Sequence, residues 1–126
     1  MIRDRAKKAL RKKAKRGFAG FPVATVAFYG PDDKRATKLV VSIIAEEGAD
    51  PEPMRKWFSE GDLRNDAQVL AEALEFIRSN EARSVSMLDR IIGCPHEEGI
   101  AYPEGEPCPE CPFWKNRDRW TGALIQ

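Results

Sequence analysis

Cysteine and histidine are scarce in this chain: three of the former and one of the latter in 126 residues. Three cysteines are too few, and odd in number, for a disulfide scaffold. One histidine leaves no spare base for a Ser-His-Asp or Cys-His nucleophilic set once it is assigned elsewhere. No stretch approaches the ~18 apolar residues of a membrane helix, which excludes a spanning segment as the basis of any membrane role. No glycine-rich phosphate loop of the P-loop or dinucleotide type occurs, nor does any internal repeat. What is present is ordinary for a soluble domain, 42% apolar and 33% charged residues. That is enough for one core, and it argues against global disorder, collagen or coiled coil.

The net charge of +1 hides a division. Residues 1–16 carry nine bases (Arg3, Arg5, Lys7, Lys8, Arg11, Lys12, Lys13, Lys15 and Arg16) against Asp4, so 9 − 1 = +8. The remainder holds 12 bases and 19 acids, so 12 − 19 = −7. A basic arm on an acidic body suits phosphate-rich partners. The arm's Ala, Lys and Arg also suit a solvated helix, and a loose terminus or a segment folded back on the acidic body fits the same composition. A signal peptide fits poorly. The basic stretch is long, Gly20 and Pro22 interrupt the apolar part, and Pro31-Asp32-Asp33 stands where small residues would mark cleavage. The chain therefore reads as cytoplasmic.

Residues 22–29 are apolar and β-prone, and residues 37–46 form a second such run. Gly30-Pro31-Asp32-Asp33-Lys34 between them is a turn, so the pair reads as an antiparallel hairpin. Both strands are apolar on both faces, which calls for cover on two sides. Residues 47–66 look irregular, and Met54, Trp57 and Phe58 have the i, i+3, i+4 spacing of a short helix. Asp66 suits an N-cap for a helix over residues 67–78, where Leu70, Ala73, Leu74 and Ile77 make one apolar stripe. Asn80 suits its end, and residues 84–92 read as a third strand, with a parallel crossover allowed. The fold class is α+β: a small mixed β-β-α-β sheet with one main helix, a basic arm over 1–16, a core over 17–92, and a loop-rich segment over 93–126.

That last segment holds every cysteine and the histidine: Cys94-Pro95-His96, eleven residues, then Cys108-Pro109-Glu110-Cys111. Five prolines fall within residues 93–112, so no regular element is credible there. Three thiolates and one imidazole make the closed tetrahedral set of a structural Zn²⁺ site. Sulfur-rich donors favour zinc over magnesium or calcium, and such a site can contribute on the order of 10 kcal/mol to folding. The spacing defines a zinc-knuckle-like loop with ligands Cys94, His96, Cys108 and Cys111. Three reduced core cysteines is the competing reading, and their clustering with the sole histidine argues against it. A redox pair at Cys108 and Cys111 lacks a thioredoxin-like context.

His96-Glu97-Glu98 followed by Pro107-Cys108-Pro109-Glu110-Cys111 also matches the H-x-E … P-C-x-x-C signature of zinc deaminases, with Glu98 as proton shuttle. The eight residues between Glu98 and Pro107 are too few for the helix and strand of that fold. Cys94 would also occupy the position that water needs. No catalytic residue is assigned outside this alternative.

Beyond the box, Phe113 and Trp114 suit a seal over the knuckle or over the open hairpin face, whereas Arg117, Arg119 and Trp120 suit stacking and phosphate contact. The segment 24–34 and the box, from Gly93-Cys94-Pro95-His96-Glu97-Glu98-Gly99 through Tyr102-Pro103-Glu104-Gly105-Glu106 to Cys108-Pro109-Glu110-Cys111-Pro112-Phe113-Trp114, resemble a family of small uncharacterised bacterial proteins. The likeness spans about residues 22–114 and implies a bacterial cytosolic protein of one continuous domain, with no activity attached. The sequence thus predicts a non-enzymatic zinc-binding module whose partner is RNA, DNA or a ribonucleoprotein. Its contacts would be Arg3, Arg5, Lys7, Lys8, Arg11, Lys12, Lys13, Lys15, Arg16, Arg117, Arg119 and Trp120. The alternatives are an assembly subunit, dimeric through the hairpin face, and a deaminase-like zinc hydrolase.

Overall fold

The computed structural model describes residues 2–97, 99–106 and 108–115. Helix α1 (Ile2–Lys15) comes first, then strands β1 (Val23–Tyr29), β2 (Lys38–Ile44) and β3 (Pro51–Phe58), helix α2 (Ala67–Ser79) and strand β4 (Ser84–Ile91). Among the described residues the fold is a mixed α+β sheet with two helices. Strand order is β3-β2-β1-β4. The pairs β1–β2 and β2–β3 are antiparallel, and β1–β4 is parallel. Since β3 then runs with β4, the β3–α2–β4 connection is a crossover between parallel strands, passing over the two between them.

The hairpin forms where turn residues separate two β-prone runs, with Val26 opposite Val41 and Phe28 opposite Leu39. Gly30 is required at its tip: a Cβ there would lie 1.9 Å from the carbonyl oxygen of Arg35. Asp66 caps α2 by accepting from the Val69 amide at 3.1 Å, which satisfies one orphan donor of the first turn. The stripe Leu70, Ala73, Leu74 and Ile77 is buried against the sheet. Asn80 closes the helix, its Nδ2 donating to the Phe76 carbonyl at 2.8 Å.

Two elements differ from the sequence reading. Residues 51–58 are the edge strand β3, not an irregular stretch with a short helix. Met54 and Phe58 consequently face away from Trp57. They are 46% and 67% exposed, while Trp57 is buried opposite Leu39. Pro51 and Pro53 are tolerated because an edge strand needs ladder donors on one side only. Arg55 stacks on the Trp57 ring at 4.6 Å and reaches Glu72 of α2 at 2.8 Å, which ties the edge to the helix layer.

The second difference is that α1 is a structural part of the core, so the fold has two helices where one main helix is predicted. Ala6 and Leu10 are buried, Leu10 at 1% exposure, together with Val26, Phe28 and Leu70. Burial of one alanine-rich stripe lets a strongly basic helix lie on α2 and β4 while its charges stay in water.

Ala24, Val26, Phe28, Leu39, Val41 and Val85 face the helices. The opposite face carries Tyr29, Lys38, Val40, Met54 and Lys56, and the Cys/His loop lies against it. No helix among the described residues is long and apolar enough to cross a membrane.

Candidate metal centre

Strand β4 delivers the first ligand. Beyond Ile91 the chain still follows β1: the Ile92 amide donates to the Phe28 carbonyl (2.9 Å), and the Gly30 amide donates to that of Gly93 (2.8 Å). Cys94 follows at once. Its sulfur accepts from the His96 amide at 3.3 Å, so Pro95 sits at the apex of a tight turn that brings both side chains to one side. Turns then reverse the chain, with Ile100 and Ala101 amides on the Glu97 carbonyl and the Gly99 amide on that of Tyr102. The second pair forms a knuckle in which the Cys111 amide donates to the Cys108 carbonyl at 3.3 Å.

The knuckle is fixed to the sheet from its far side. A 3₁₀ turn, Pro112–Trp114, follows Cys111, and the Trp114 indole N–H donates to the Gly30 carbonyl at 2.7 Å. Gly30 therefore holds both ends of the loop, one through its amide and one through its carbonyl. Phe113 meets Trp114 edge to face at 4.9 Å, so this aromatic pair closes the loop against the body.

The four donor atoms lie within 4.8 Å of one another. His96 Nδ1 is 3.1 Å from Cys94 Sγ, 3.4 Å from Cys108 Sγ and 3.5 Å from Cys111 Sγ. In a tetrahedron with metal–sulfur bonds of about 2.3 Å and a metal–nitrogen bond of about 2.0 Å, the N···S edge is about 3.5 Å. The residues thus fit a metal ion. The other ring nitrogen, Nε2, lies 3.1 Å from the Glu110 carboxylate. With a metal on Nδ1, Nε2 would carry the ring proton and donate it to Glu110, which would orient the ring and strengthen it as a ligand.

Burial pushes the Cys94 thiol above its usual range. It also pushes up Cys111, with the neighbouring Cys94 and Cys108 adding to the shift. Three thiolates this close repel one another, so their ionised form needs a cation among them. The cluster can accordingly hold a metal and release protons as it does so. Cys94, His96, Cys108 and Cys111 supply four donors to the metal.

Two lysines pin the loop to the second sheet face. Lys38, with its side chain 7% exposed, donates from Nζ to the Pro95 carbonyl at 3.1 Å and lies 3.6 Å from Glu97. Lys56 pairs with the same Glu97 oxygen at 2.5 Å, and this contact, with Lys38 behind it, holds the Glu97 carboxyl below its ordinary range.

The basic residues of α1 divide by helical phase. Arg5, Lys8, Lys12 and Lys15 fall within an arc of about 80° opposite Ala6 and Leu10 at 3.6 residues per turn; Arg16, in the turn after α1, continues the row with its amide on the Lys12 carbonyl, and all five are exposed. Among the described residues none of the five has an ion-pair partner. Lys7 instead donates to Asn65 at 3.2 Å, and Lys13 is half-buried. This basic face lies on the helix side of the sheet, and the metal cluster lies on the other. Arg117, Arg119, Trp120 and Glu98 lie outside the described residues, as does the side chain of Arg3.

Sequence reasoning missed Glu110, Lys38, Lys56 and the docking role of Gly30. Glu110 carried a signal, a carboxylate inside the knuckle one residue before a ligand. Lys38 carried none, because a lysine at a strand start reads as solvated. Comparison with family models, with curated proteins and with solved structures finds no match for this chain.

Proposed function

We propose that this protein is a non-enzymatic zinc-binding module that binds nucleic acid through the solvent face of α1. The metal is structural zinc, held by Cys94, His96, Cys108 and Cys111: it orders the loop and performs no reaction. The observation that carries the binding role is the arc of exposed bases along α1, continued by Arg16 just past its end, none with an ion-pair partner among the described residues, on a helix whose other face is locked into the core. A rigid stripe of that kind, about 16 Å long from Arg5 to Arg16 at 1.5 Å per residue, presents its charges to successive phosphates without an ordering cost at binding. RNA and DNA both meet that requirement.

Truncation of residues 1–16 would test folding as much as binding, since it strips Leu10 and Ala6 from the core. Replacing Arg5, Lys8, Lys12, Lys15 and Arg16 with Gln leaves the buried stripe intact and isolates the charge. A variant of that kind with unchanged affinity for RNA and DNA would refute the reading. The box and the likeness noted above also support a cytoplasmic bacterial protein.

One observation favours an assembly subunit as a second reading: exposed Met54 and Phe58 on the sheet face away from the helices. Self-association through that face predicts a mass in solution that rises with concentration, and a constant monomer mass would remove it. The hydrolase alternative is disfavoured by the fourth donor, Cys94, and by the turns that connect the two ligand pairs.

A further inference from the structure

The second sheet face and the Cys/His loop enclose a cleft of about 380 Å³, within the range of small-molecule sites. Val40 and Met54 contribute apolar surface and Tyr29 and Tyr102 contribute rings; Lys38 and Lys56 bring the charge. Among the described lining residues Glu97 is the only carboxylate, so there the two lysines and Glu97 leave +1. Of the three metal-ligand sulfurs only Cys94 reaches the cleft, and it already accepts from the His96 amide.

Lys38 is the unusual member. Its ammonium has three donors; one goes to the Pro95 carbonyl at 3.1 Å, and the Glu97 carboxylate, which Lys56 also holds, lies at ion-pair distance, 3.6 Å. The Tyr29 and Phe58 rings, each 5.7 Å from Nζ, supply only weak compensation. A buried ammonium beside a second lysine, the two sharing one carboxylate, is matched by an oxyanion. Among the described lining residues the positive charge comes from lysines alone, and ammonium groups bind phosphate oxygens as point charges.

We infer that this cleft binds a nucleoside monophosphate, free or as the 5′ end of a strand, with its phosphate on Lys38 and Lys56 and its base against Met54, Val40 and the tyrosine rings. Glu97 holds the two lysines in the empty cleft and is the group the phosphate displaces. The site does not depend on the α1 reading, because the two surfaces lie on opposite faces of the sheet.

The test is calorimetric titration of the metal-loaded full chain at low salt with adenosine monophosphate, adenosine, inorganic phosphate, and a trinucleotide bearing either a 5′-phosphate or a 5′-hydroxyl. Saturable binding of adenosine monophosphate or of the phosphorylated trinucleotide supports the site, and whichever binds tighter identifies the source. Lys56→Gln, at an accessible position, should weaken that binding about tenfold or more. Glu97→Gln should tighten it, because the competing carboxylate is gone. Lys38→Met should abolish it in a protein that retains its metal and its circular dichroism. No saturable binding of either phosphate-bearing probe at millimolar concentration would overturn the inference. So would equal affinities for the parent, Lys56→Gln and Glu97→Gln, or inorganic phosphate binding as tightly as adenosine monophosphate. Loss of binding on neutralising the five α1 charges would also overturn it, since those residues lie across the sheet.

Discussion

Neutralising the outer face of α1 is the perturbation with the most calculable outcome. Gln at positions 5, 8, 12, 15 and 16 keeps helix propensity close to that of Lys and Arg, and none of the five side chains is buried. If each contacts one phosphate of a duplex, counterion release gives a slope of log K against log salt of about −0.9 × 5, or −4.5. Between 50 and 200 mM salt the parent protein should then lose about 500-fold in affinity. For a single strand the corresponding slope is about −3.5. The five-fold variant should lose these contributions, while a lone Lys12→Gln should flatten the duplex slope by about 0.9. Fluorescence anisotropy with labelled duplex and single-stranded probes across a salt series reads both quantities. An unchanged slope in the five-fold variant, with metal content and melting temperature preserved, would refute the assignment of this face.

Leu10→Ala should cost about 2–5 kcal/mol of stability in a denaturant titration, whereas an unanchored arm would register no change. Trp114→Phe removes the donor to the Gly30 carbonyl and should cost about 1 kcal/mol, with faster metal loss to a chelator as the loop detaches from the sheet. Asp62 takes hydrogen bonds from the Arg64 guanidinium and from the Ala36 and Arg64 amides, and its carboxyl sits below the usual range chiefly through Arg64. A carboxyl whose folded value is depressed contributes stability above its ordinary value of 3.8, and that contribution disappears as the pH falls through the folded value. Asp62→Asn should therefore flatten the acid limb of stability below about pH 4, and an unchanged acid limb by thermal melts at several pH values would contradict this.

Legibility in the sequence tracked how local each determinant was. The α2 helix was readable because its cap, its stripe and its stop lie within fifteen residues, from Asp66 to Asn80. The four metal donors were readable for the same reason: their chemistry clusters within eighteen residues of a segment that has no other means of order. Strand β3 was not, because its strand character comes from pairing with β2, while Met54, Trp57 and Phe58 happen to repeat at helical spacing. The burial of α1 was hidden beneath its charge, since Ala6 and Leu10 are a faint apolar signal among nine bases. Lys38 and Glu110 act across the loop, at positions where single-sequence reasoning assigns solvated charges. That the sheet lies between the basic face and the box had no local signature either, because it follows from the strand order.

X-ray absorption at the zinc edge, with metal stoichiometry on the same sample, tests the central claim most directly. One zinc per chain, with three sulfurs at about 2.3 Å and one nitrogen at about 2.0 Å, is the predicted result. An oxygen in the first coordination sphere, fewer than three sulfurs, or a folded protein that holds no zinc would contradict it.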